Sequence, residues 1–236
     1  MLGTTGYRAR HANDRMVVRL GRRTAVWSAV LAGCALLLFG MQQGRRLLTH
    51  NLDVVDPGRL YRSAQMNPVD LEKAIRRFKL RTVVNLRGAN PGYAWYQEER
   101  DVCRRLGVRH LDIQWSAREL PKPERVRTLL AVYREDSYPM LIHCNQGADR
   151  TGLAAALYLI DRKTNSPTTA RKVSLNLEHG HLAFYPTWAM DQFLVALERS
   201  GKSLSTWLTE DYPVLYRSTS EKGAWERLTE PLRAAE

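Results

Sequence analysis

The chain has 236 residues, 44% of them hydrophobic, and a formal net charge of +12. That is enough for one ordinary domain with a buried core and an appendage. Residues 1–50 hold eight arginines, no lysine and a single acid, Asp14, while the remainder carries 28 basic and 23 acidic side chains. With most of the excess in the N-terminal segment, no nucleic-acid partner is expected.

Residues 1–23 form a basic segment. Thr24 to Gly44 then run 21 residues without a charge, and their apolar centre, AVWSAVLAGCALLLFGM, is 17 residues long. A helix crossing a bilayer needs about 17–25 such residues, so 24–44 is expected to be a transmembrane helix and the membrane a partner. Arg8, Arg10, Arg15, Arg19, Arg22 and Arg23 precede the span, against Arg45 and Arg46 after it. That bias favours a cytoplasmic N-terminus and a periplasmic domain. No A-x-A pattern closes the run, which favours a retained anchor over a cleaved signal peptide. Leu31-Ala32-Gly33-Cys34 resembles a lipoprotein box, but the apolar run continues past Cys34.

Residues 45–60 read as a juxtamembrane linker, 61–212 as the domain and 213–236 as a polar tail. NPVDLEKAIRRF opens a helix with Asn67 as cap, Pro68 in first position and Asp70 in the first turn. LRTVVNLRG is a buried strand stopped by Gly88, and a helix over Trp95 to Leu106 ends at Gly107. VRHLDIQW alternates as a strand, and KPERVRTLLAVYRED is an amphipathic helix begun by Pro123. PMLIH is a short apolar strand, and TGLAAALYLI is nearly apolar on every side. SPTTARKVSLNL, PTWAMDQFLVALERSG and SLSTWLTEDY are further helices. Strands alternating with helices imply an α/β fold, its central and mostly parallel sheet flanked by helices. Sites in such sheets form at the carboxyl ends of strands, and PMLIH ends at HCNQGADRTG, His143 to Gly152.

An ordinary thiol has a pKa of about 8.5 and attacks phosphate poorly at neutral pH. This loop offers remedies. Gly147 lets it turn tightly, so that the N–H groups around Asn145, Gln146, Gly147 and Ala148 can face an anion, and the following helix adds its positive end. Arg150 has a planar fork for two phosphoryl oxygens, which lysine cannot reproduce. Thr151 can hydrogen-bond the Cys144 sulfur and make it a better leaving group. His143 is expected to fix loop geometry through backbone contacts.

HCNQGADRTG resembles the signature loop of the cysteine-dependent protein tyrosine and dual-specificity phosphatases. The resemblance covers residues 55–199, includes GRLYRSAQ and RTVVNLRG, and is closest to the small bacterial dual-specificity-like branch. It implies the tyrosine-phosphatase fold, a cysteinyl-phosphate intermediate hydrolysed in a second step, and neither metal nor cofactor.

The tyrosine-specific branch carries its acid in W-P-D-x-x-x-P, whereas Trp115-Ser116-Ala117-Arg118-Glu119-Leu120-Pro121 puts Ala117 in that place. Asp149 is the preferred acid instead, because D-R-T resembles the loop of myotubularin-like lipid phosphatases and some secreted bacterial tyrosine phosphatases. Glu119 is the reserve, and Asp112 is set aside as buried in mid-strand. Arg87 ends VVNLR and should lie near Cys144, holding either substrate anion or a structural salt bridge. His179 and His181 lack a third ligand at zinc spacing and read as loop histidines.

A signature loop without lysine favours a singly phosphorylated group such as phosphotyrosine, on a protein or a small phosphomonoester. Envelope lipid, phosphoinositide or saccharide phosphates are the alternative for an exported domain. A non-catalytic anion-binding module and a redox pairing of Cys103 with Cys144 are the readings from other classes.

Overall fold

The computed structural model describes residues 27–34, 36–42, 44–183 and 187–221. The basic segment 1–23, residues 24–26, 35 and 43 of the expected span, Pro186 and the tail beyond 221 lie outside the described residues. The chain divides into two units, Met1–Arg45 and Arg46–Glu236. Helix α1, Trp27–Leu48, is long and apolar enough to cross a membrane by length and composition.

The second unit is built on five strands: β1 (Asp53–Asp56), β2 (Leu60–Ser63), β3 (Thr82–Asn85), β4 (Arg109–Asp112) and β5 (Met140–His143). Their order is β1-β2-β5-β3-β4. Only β1 and β2 run antiparallel; β2 with β5, β5 with β3 and β3 with β4 are parallel. The sheet is thus mostly parallel, as expected. Its start is earlier than expected, because β1 lies inside the stretch 45–60 that reads as a linker. DVVD and LYRS are four-residue strands, too short to carry a periodic signal.

Among the described residues this unit holds eight α-helices: α2 (Pro68–Phe78), α3 (Ala94–Arg105), α4 (Pro123–Arg134), α5 (Asp149–Lys163), α6 (Pro167–Ser174), α7 (Ala189–Ser200), α8 (Leu204–Glu210) and α9 (Tyr212–Glu221). Asn67 caps α2 as expected, its side chain accepting from the Asp70 N–H. The expected polar tail differs at its start, where α9 continues the domain. The reason is packing: Tyr212 is fully buried against Phe193 and Trp207.

Alternation along the strands divides the core. Tyr61, Val83 and Leu141 join Leu71, Ile75 and Val102 on one side, under α2 and α3. Leu60, Val84 and Ile142 join Leu129, Leu153, Phe193 and Trp207 on the other. Helix α5 is buried from Thr151 to Leu159, which explains why its sequence lacks a polar face.

Candidate active site

β5 occupies the centre of the sheet, and its register sets Ser63 of β2 and Asn85 of β3 level with His143. The residues following those strands therefore flank the loop Cys144–Ala148, which runs directly into α5. This brings HCNQGADRTG, Arg87 and the GRLYRSAQ segment to one sheet edge.

The loop is held by its carbonyls. The Gln65 N–H donates to Asn145 O at 3.1 Å, and Asn51 Nδ2 donates to Gln146 O at 3.0 Å. Arg62 Nη2 donates to Gly147 O at 2.8 Å, and the Gly152 N–H donates to Ala148 O at 2.8 Å. In a trans peptide the next N–H points opposite to each carbonyl, so outward-bonded carbonyls leave the N–H groups of Gln146 to Asp149 on the other side. That cradle is suited to a tetrahedral oxyanion.

Two glycines make the geometry possible. Gly147 has φ +70°, and a Cβ there would lie 2.6 Å from Ala64 N and from Ser63 C. A Cβ on Gly152 would lie 2.7 Å from Ser174 O and 2.5 Å from Leu175 Cδ2, so this glycine is needed for α5 to approach α6.

Cys144 is buried beneath the loop. Arg62 is buried beside it, with Nη1 on Ser174 O at 2.9 Å. Burial lowers the Arg62 pKa to about 10, while the nearby Cys144 works in the opposite direction. Arg62 thus braces the loop and sets a positive charge near the sulfur. Arg150 uses one nitrogen on Trp115 O at 3.3 Å and keeps a buried Nε without a protein partner. Thr151 Oγ1, Ser63 Oγ and Trp115 Nε1 are likewise buried and unpartnered. These polar atoms, together with the loop amides, suit an anionic ligand.

His143 differs from expectation in what it binds. Its Nε2 meets Glu99 Oε1 at 3.1 Å, a carboxylate rather than the backbone, and Glu99 also takes His110 at 2.8 Å and Gln65 Nε2. Burial of Glu99 favours its neutral acid, but the two histidines outweigh this and hold its pKa well below the usual carboxylate range. Arg87 stacks 3.5 Å over the Trp95 ring and donates to Gln65 Oε1 at 3.1 Å. Its pKa is lowered by burial first and then by Arg150, placing two cations at one edge of the site.

The acid candidates separate clearly. Asp149 opens α5, and its Oδ1 meets His181 Nδ1 at 2.7 Å. Glu119 is exposed, and its electrostatic neighbour is Tyr216 on α9. Asp112 is half-buried and takes the Asn85 amide at 2.8 Å and the Tyr96 hydroxyl at 2.6 Å. His179 and His181 lie between α6 and α7, and both are buried. The redox pairing fails on topology: Cys103 is a free thiol in the α2–α3 side of the core and Cys144 is in the other. Burial, helped by Glu99, raises the Cys103 pKa to about 12, which makes it an inert thiol.

Sequence reading missed Asn51, Arg62, Gln65, Glu99 and His181. Only GRLYRSAQ carried a signal, and it fixed no role for Arg62.

A family model described as "Tyrosine phosphatase family" matches residues 44–160. No curated protein matches the sequence significantly. Among solved structures, TpbA of P. aeruginosa is 26% identical with a TM-score of 0.51, over 66% of this chain and 89% of that one. The core catalytic domain of the PP-IP phosphatase SIW14 from S. cerevisiae, in complex with citrate, is 18% identical with a TM-score of 0.50, over 75% and 94%. The likeness to SIW14 is one of fold.

Proposed function

We propose that this protein, which has the fold of the cysteine-based tyrosine and dual-specificity phosphatases, hydrolyses phosphomonoesters through a covalent cysteinyl-phosphate. The observation that carries this reading is the row of outward-bonded carbonyls around Cys144, which leaves a cradle of amides on the other side. The Cys144 sulfur attacks phosphorus and the P–O bond breaks, its electron pair going to the leaving oxygen. Water then attacks the phosphoryl group, and the P–S pair returns to sulfur. Loop amides and Arg150 stabilise the charge on the equatorial oxygens in both steps. Thr151 supports the departing sulfur, and Asp149 takes a proton from the attacking water.

Phosphotyrosine or a dual-specificity phosphoprotein is the substrate this loop suits best, since Asn145 to Asp149 include no lysine for a second phosphate. We further propose that α1 anchors the protein as a single span with the domain on the periplasmic side, as the arginine bias favours. On that side, envelope lipid or saccharide phosphates are the competing substrates.

The test is a panel of phosphotyrosine, phosphoserine and phosphoinositide substrates with full-length protein in detergent. Cys144→Ser should abolish turnover of every substrate while vanadate or phosphate still binds, because the cradle survives. Residual turnover near the wild-type rate would rule out covalent catalysis. An inactive wild-type protein that still binds phosphate would instead identify an anion-binding module.

A further inference from the structure

The D-R-T stretch makes Asp149 a proton carrier on paper, yet its surroundings constrain what it can carry. Asp149 Oδ1 meets His181 Nδ1 at 2.7 Å, and the opposite ring nitrogen, Nε2, meets Asp191 Oδ2 at 2.6 Å. Asp191 is fixed in turn by Arg171 Nη1 on its other oxygen at 3.0 Å. The chain of four side chains links α5, the segment before α7, α7 itself and α6. His181 is 2% exposed, and its backbone N–H is tied to Asn176 O at 2.9 Å. A neutral imidazole has only one N–H, so it cannot donate to both carboxylates at once. With both carboxylates ionised, only the imidazolium satisfies both contacts.

We infer that His181 is the positioning residue of this site: as an imidazolium clamped between Asp149 and Asp191, it fixes the orientation and the negative charge of the Asp149 carboxylate. The inference rests on the phosphatase reading and deepens it. Burial alone would discharge the ring, but the hydrogen bonds to Asp149 and Asp191 outweigh it and raise the His181 pKa from 6.5 to about 9. As the acceptor of the His181 N–H, the Asp149 carboxylate is placed to take a proton from the water that attacks the cysteinyl-phosphate, and it is a weak donor in the first step. With no carboxyl at Ala117 to replace it, the leaving oxygen must depart largely as its own anion and take a proton from solvent. The consequence is a substrate class: aryl phosphates, whose phenols are acidic, over the alkyl phosphates of serine and threonine.

His181→Gln tests this, because glutamine keeps an N–H for Asp149 and loses the charge. In full-length protein in detergent, wild-type kcat for an aryl phosphate should fall as pH rises through about 9. His181→Gln should lower kcat about 10–100-fold, within the scale of acid–base positioning, with KM nearly unchanged and the alkaline limb gone. Asp191→Asn, which removes one of the two counter-charges, should shift that limb towards neutral pH. Ring nitrogen NMR gives the direct readout: His181 should stay doubly protonated beyond pH 8 in the wild type and lose that proton earlier in Asp191→Asn. A His181 that titrates at its ordinary value would overturn the inference. So would an equal rate loss in His181→Gln for aryl and alkyl phosphates with an unmoved pH profile. Both outcomes leave the covalent mechanism standing if Cys144→Ser is dead, whereas an active Cys144→Ser breaks the underlying reading itself.

Discussion

The floor of the signature loop and the aromatic cluster of α7 to α9 are both buried, but they are built from opposite materials. Under the loop lie Arg62, Glu99, His143, His181 and Asp191, each held by a charged or carbonyl partner. In the cluster, Phe193, Trp207 and Tyr212 pack with ring centroids 4.7–5.0 Å apart. Apolar burial holds in any direction, so a cluster of rings is a tolerant source of stability. Buried charges are costly unless every partner is present, but they hold neighbouring atoms in one orientation. The difference shows how the domain divides its labour: rings stabilise, and paired charges aim.

Breaking the polar side should give the largest effect. Arg62→Met keeps much of the volume but orphans Gly147 O and Ser174 O and removes the cation near Cys144. Turnover of an aryl phosphate should drop at least about 100-fold, on the scale seen when a positioned oxyanion group is lost. Arg62→Lys should recover little, since one ammonium cannot reach both carbonyls with the same fork. A rate in Arg62→Met within tenfold of wild type would mean that the loop holds its shape without this brace.

The aromatic side should respond in stability alone. Phe193→Ala should cost about 3–5 kcal/mol in unfolding free energy, as for other buried aromatic truncations. Its kcat should stay within about twofold of wild type. The pH dependence of stability sharpens the contrast. His181 has its pKa raised, so its contribution is complete below 6.5 and lost as pH rises through about 9. Glu99 has its pKa lowered, so its contribution holds at neutral pH and is lost on acidification below the usual carboxylate range. Denaturant unfolding of Phe193→Ala should therefore follow the wild-type pH curve, displaced downward at every pH. A curve of altered shape would show that the cluster and the loop floor are coupled.

The same contrast explains what was legible in the sequence. Local signals were readable: the Asn67 cap, the glycine of the tight loop and the apolar helix α5 each reflect a few adjacent residues. The loop's supports are distant instead. Arg62 reaches Gly147 across 85 positions, Glu99 reaches His143 across 44, and His181 reaches Asp149 across 32. No periodicity or spacing encodes such contacts, and an isolated Arg, Glu or His looks like a surface residue until the topology is known. β1 escaped for a different reason, being four residues long with two of them exposed.

The smallest expected effect is the one that tests where the polar floor ends. Glu119 belongs to the segment Trp115–Pro121, and the same segment supplies Trp115 O to Arg150. Yet its side chain is exposed and bears electrostatically on Tyr216, whose pKa is raised chiefly by burial and then by Glu124 and Glu119. An exposed carboxylate in high dielectric is a weak lever on chemistry beneath a buried loop. Glu119→Gln should leave kcat and KM within about twofold for both aryl and alkyl phosphates, since it lacks the positioning that proton transfer requires. A loss that grows as the leaving oxygen becomes more basic would reverse this conclusion. It would place a proton donor on the segment before α4 and extend the charged machinery from the buried floor to the surface.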